Sequence, residues 1–128
     1  MTAEAMVNTS SAQSLKESRA RAEETQAIQD QAQYTAHVCG NNLRARIDWS
    51  SLDTWPDGLS ISDACDGALS ALEAMCRGDG KDDAQSIAQF VCAGDGGGAS
   101  LSAGTLRYGA SPDGDAFSAT KALLDSTF

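Results

Sequence analysis

Residues 62–83 read SDACDGALSALEAMCRGDGKDD. Together with Ile61, the residues Ala64, Cys65, Ala68, Leu69, Leu72, Met75 and Cys76 recur at steps of three and four, the spacing of a helix with one apolar stripe. Ser60 or Ser62 supplies a capping hydroxyl at its start, Asp63 suits the first turn, and Arg77 followed by Gly78 is a common helix ending. Cys65 and Cys76 share the stripe. Eleven residues along a helix separate their Cα atoms by roughly 16 Å, beyond the ~7 Å reach of a disulfide, so the two cannot bond to each other.

Downstream, Ala84, Ile87, Ala88, Val91 and Cys92 fit a helix, while SIAQFVC has the β-branched and aromatic content of a buried strand. The Gly-rich GDGGG that follows, and the second apolar segment with Leu101, Thr105, Leu106 and Tyr108, favour a strand at about 86–93 paired in a hairpin. SPDG is a turn, and Ala116, Phe117, Ala119, Ala122, Leu123 and Leu124 mark a closing helix over the sheet.

Upstream, YTAHVCGNNLRARIDW (34–49) alternates apolar and polar residues on both sides of a Gly-Asn-Asn turn, which predicts a first β-hairpin with one buried face. Pro56 and Gly58 make the next stretch a loop. Residues 11–33 are rich in Gln, Ala and Glu, with Leu15 and Ile28 as the large apolar groups and Glu17 four residues before Arg21. So little apolar surface predicts a polar helix or flexible stalk rather than a packed element. The fold expected is therefore α+β: a stalk over 1–33, then a single domain over 34–128 with two hairpins and two packed helices. An all-α fold is the alternative if 84–92 is helical.

A chain of 128 residues suits one such domain. Nine Lys and Arg against eighteen Asp and Glu give a net charge of −9, of which −7 falls beyond residue 38. Such a surface repels phosphate backbones and anionic lipid, so nucleic acid and membrane are not expected partners, whereas a basic protein is. There is no apolar run near the length of a membrane span. The first 30 residues lack the basic start and apolar stretch of a signal peptide, so the expectation is a mature form whose leader is absent, with a cytoplasmic chain as the alternative.

The four cysteines stand at intervals of 26, 11 and 16, with no close pair of the zinc-site kind. If the chain reverses after Gly78 and runs antiparallel to the helix, five strand steps of ~3.3 Å match eleven helical ones, and Cys92 arrives level with Cys65. Cys39 then pairs with Cys76. Four cysteines allow three connectivities, and the bland alternative is that they are small buried residues. An even count in a short, Lys-poor domain favours disulfides, and with them a secreted or periplasmic setting.

His37 is the single histidine, which excludes a three-histidine metal site. On a strand it would share a face with Cys39, but that cysteine is wanted for a disulfide, and no catalytic residue is assigned. Counting from Asp79, the twelfth position of a calcium loop is Phe90 rather than Glu, and GDGGG lacks the Lys of a phosphate loop. No metal or cofactor is expected. Arg77-Gly78-Asp79 and the glycosylation tripeptide Asn8-Thr9-Ser10 are both short enough to arise by chance. Trp55, in an irregular loop, and Trp49 before it are the candidate protein-binding residues, because tryptophan is enriched at interfaces. The function expected is a non-catalytic protein-binding module of the inhibitor or immunity type. A small hydrolase-like enzyme and a structural surface protein are the alternatives.

Overall fold

The computed structural model describes the backbone of residues 2–128 and the side chains from residue 19 onward. Leu15, Glu17 and the Asn8-Thr9-Ser10 tripeptide lie outside the described side chains. The elements are α1 (Thr2–Cys39), β1 (Arg44–Ile47), a 3-10 turn (Trp49–Leu52), α2 (Ile61–Cys76), a short α3 (Lys81–Ala84), β2 (Gln89–Ala93), β3 (Gly98–Ser102), β4 (Thr105–Gly109) and α4 (Ala116–Thr127). The four strands form one mixed sheet in the order β1-β2-β4-β3, giving a small α+β domain.

The α2 helix begins and ends where its stripe and caps place it. Ser60 is the N-cap and accepts from the Asp63 N–H, and Arg77 is the C-cap. Its inner face buries Ile61, Cys65, Leu69, Leu72 and Cys76, and these meet Phe90, Cys92, Leu106 and Tyr108 from the sheet. The α4 helix is capped by Asp115, which accepts from the Ser118 N–H, and contributes Ala116 and Leu124 to the same core.

Two disulfides staple this core, Cys39–Cys76 with Cα atoms 5.0 Å apart and Cys65–Cys92 at 5.8 Å. The second fastens the first turns of α2 to β2. The first fastens the end of α1 to the end of α2.

The first expected hairpin does not form. Residues 34–39 are the last turns of α1, and only 44–47 are strand. Ile28, Ala32, Thr35, Ala36 and Cys39 are all buried, at helical steps of four, three, one and three. Thr35 completes the stripe although it is polar, and its Oγ1 has no hydrogen-bond partner among the described residues. The boundary expected at residue 34 therefore falls inside an unbroken helix whose Ile28 is 1% exposed. The packed unit reaches back at least to Glu24, which bonds to the start of α2.

The second hairpin is displaced rather than absent. GDGGG does not join two paired strands: β2 pairs in parallel with β4, and β3 lies antiparallel on β4's far side. The hairpin turn is Ala103-Gly104, with φ of 49° and 78° between the paired Ser102 and Thr105, the doubly left-handed geometry of a tight two-residue turn. The more apolar β4, with buried Leu106 and Tyr108, takes the interior position, and the polar Gly98–Ser102 strand takes the edge.

Because Ile28 sits in the core and not on a stalk, Ile28→Ala should lower unfolding stability by roughly 2 to 5 kcal/mol. The neighbouring exposed Gln29→Ala should stay within about 0.5 kcal/mol. Urea unfolding of the full chain checks both, and an Ile28 effect as small as that of Gln29 would contradict the packing described.

Candidate functional site

The segment after β1 is shaped by its own hydroxyls. Ser50 Oγ donates to Asp48 Oδ1 at 2.6 Å, and Ser51 donates to the Asp48 carbonyl through both Oγ (2.6 Å) and N–H (3.1 Å), closing the 3-10 turn. The Gly94 N–H then donates to Ser51 Oγ at 2.9 Å, tying the turn to the end of β2. Gly94 is required for close approach, since a Cβ there would run into Leu52 Cδ2 and lie 3.2 Å from the Trp55 ring. Trp55 is held by its N–H on the Leu52 carbonyl and its Nε1 on the Leu59 carbonyl, each at 3.0 Å.

This folding brings Trp49 and Trp55, both half-buried, into one groove of about 330 Å³ with Arg21, Glu24, Leu52 and Leu59. The Arg21 guanidinium lies 5.1 Å from the centroid of the Trp49 ring, within cation–π range. Asp53 and Asp57 line the same groove and are exposed, and Leu59 is 47% exposed. Sequence reading singled out the two tryptophans but not Arg21 and Glu24, which reach the groove from α1. Nothing local in residues 21–24 signals that role.

Glu24 also builds the groove's frame. Its carboxylate accepts from Ser60 Oγ at 2.9 Å, from the Ile61 N–H at 3.1 Å and from Ser62 Oγ, so a side chain of α1 caps the N-terminus of α2. Beyond the groove, Arg107 donates to Asp95 at 2.7 Å and lies 3.6 Å from Asp48. The Ser50 hydroxyl and then Arg107 hold Asp48 below the usual carboxylate range. Asp95 is lowered by its bond to Arg107 and by the Gly97 N–H.

The other residues considered for chemistry do not converge. Cys39 is in a disulfide and is no nucleophile. His37 is exposed on α1, and two residues along a helix place it and Cys39 on opposite sides, not on one strand face. Among the described residues no three His, Cys, Asp or Glu side chains cluster as metal ligands. No described helix is long and apolar enough to cross a membrane. Comparison of the chain with protein-family models, with curated proteins and with solved structures found no match.

Two outcomes follow from these bonds. Glu24→Ala removes the carboxylate acceptor shared by the Ser60 and Ser62 hydroxyls and the Ile61 N–H at the α2 N-terminus, so stability should fall by about 1 to 3 kcal/mol and tryptophan emission should shift as the groove loosens. Unchanged stability would remove Glu24 from the frame. For Asp48 and Asp95, pKa values below the unfolded 3.8 mean that the native state binds protons less readily than the unfolded chain. Their stabilisation is thus present above about pH 4 and is lost as pH falls through the native values. Arg107→Gln should be less stable than the wild type at pH 6 and converge with it near pH 2, as read by denaturant unfolding across that range.

Proposed function

We propose that this chain is a non-catalytic protein-binding module of the inhibitor or immunity type, working in a secreted or periplasmic setting on a basic protein partner. The observation that carries this reading is the groove in which Trp49 and Trp55 lie together, half-buried and rimmed by Asp53 and Asp57. Rigid aromatic anchors with a polar rim are the anatomy of binding hot spots. Leu59 adds exposed apolar surface beside them. The net charge of −9 would steer a cationic partner toward such a surface. The two disulfides agree with an oxidising compartment.

The partner is found by affinity capture from the secreted or periplasmic fraction with the full chain, and the captured protein is then titrated against variants. Trp55→Ala should speed dissociation and cost about 2 kcal/mol or more, whereas His37→Ala should bind as the wild type does. Association should slow as salt rises, because exposed charges are screened over ~8 to 10 Å near physiological ionic strength. Binding that survives the loss of Trp55, or a catalytic turnover that disappears with His37, would overturn the reading.

A further inference from the structure

The sheet has an edge that the tryptophan groove does not use. β1 has one neighbour, β2, and lies at the end of the strand order. The Arg44 N–H donates to the Ala88 carbonyl at 3.0 Å and the Asp48 N–H to the Cys92 carbonyl at 2.8 Å, so the even-numbered residues turn their backbone groups toward β2. Alternation then directs the N–H and C=O of Ala45 and Ile47 outward. Among the described residues these groups make no hydrogen bond, and as whole residues Ala45 and Ile47 are 7% and 6% exposed. The edge opens into a groove of about 550 Å³ between β1 and α1, whose walls include Gln29, Asp30, Gln33, His37, Asn41 and Arg44.

Charge says what fits there. Arg44 and Arg46 project, exposed, from the other face of β1, and neither forms an ion pair among the described residues. Arg107 occupies the same cross-sheet row as Arg46 and Val91 but is neutralised by Asp95 and Asp48. In a chain of net charge −9, the β1 edge thus carries two cations that make no ion pair among the described residues, next to main-chain groups unpaired among them. A second copy of this chain is a poor occupant, since β1 against β1 would set arginines opposite arginines, and like charges directly opposed destabilise a strand pair.

We propose that the free edge of β1 takes up an extended segment of another protein as a fifth strand, and that this segment carries acidic side chains at alternate positions to meet Arg44 and Arg46. Main-chain bonds to Ala45 and Ile47 would supply affinity, and the two arginines would select the segment and its register. This goes beyond the binding reading above. It uses a separate surface and a separate probe, so either can fail alone.

The probe is a blocked decapeptide of alternating Thr and Glu, with alternating Thr and Lys as the control, titrated into the isotope-labelled full chain. The Ala45 and Ile47 amides should gain at least about tenfold protection from hydrogen exchange with the Glu peptide and none with the Lys peptide. Arg44→Glu combined with Arg46→Glu should reverse that preference. Ala45→Pro, which removes an outward donor at an edge position where proline is tolerated, should weaken binding by about tenfold or more. Should Ala45→Pro fail to fold, the charge-reversed variant carries the test. No protection at Ala45 and Ile47, equal binding of the two peptides, or a peptide-free dimer protecting these amides would overturn the proposal.

Discussion

The structure depends on a clamp between two parallel helices. Glu24 of α1 caps the first residues of α2, and Cys39 at the end of α1 is bonded to Cys76 at the end of α2. Fifteen residues separate Glu24 from Cys39, and fifteen separate Ile61 from Cys76. At 1.5 Å per residue both spans are about 22 Å, so the charged cap and the covalent bond close together without strain on either helix. Only the C-terminal ends of the two helices lie together, at Cys39–Cys76, while the α2 N-terminus faces the middle of α1, where the Glu24 carboxylate meets its positive dipole end. Once α1 and α2 are level, β1 has to run back between their ends. The Cys65–Cys92 bond then fixes β2 under α2, beside β1.

Charge follows from this frame rather than from composition alone. The acid surplus is spread through loops and exposed helix faces, at Asp53, Asp57, Asp79, Asp82 and Asp83. The uncovered sheet face instead holds Arg44, Arg46 and Arg107 across neighbouring strands. Arg107, in the middle of β4, pairs with Asp95 and Asp48, which follow the ends of β2 and β1. An acidic protein therefore presents two surfaces of opposite character, an acid-rimmed aromatic groove and a cationic strand edge.

The parts legible in the sequence are those where one pattern had no rival. The α2 stripe, its Ser60 cap and its Arg77 ending stand in the structure as the spacing sets them. Cys92 falls level with Cys65 once the chain reverses after Gly78, and these two residues are bonded. The hairpin over 34–49 fails because Tyr34, Ala36 and Val38 satisfy period two, while the helical stripe over the same turns runs through Thr35, a polar residue that pattern reading discounts. Ile28 and Ala32 are also too small a signal alone. They become core because α2 and the Cys39–Cys76 bond bring a surface to meet them. The tryptophans were legible as candidates by residue type, but Arg21 and Glu24 belong to the groove through tertiary contact, which no local spacing encodes. Gly94 is similar: its need to be glycine comes from Leu52 and Trp55, some forty residues away.

Both surfaces share one wall. Arg21 and Glu24 of α1 border the tryptophan groove, and Gln29, Gln33 and His37, further along the same helix, border the groove at the β1 edge. The opposite walls come from one continuous stretch, since β1 runs straight into Trp49 and the loop to Leu59. The width of each groove is thus set by where α1 sits relative to residues 44–61, and that position is fixed at one end by Glu24 and at the other by Cys39–Cys76. A noncovalent cap next to the aromatic groove and a covalent bond near the strand edge are unequal restraints. The groove end of α1 rests on hydrogen bonds to one carboxylate, and the end nearer β1 on a covalent bond.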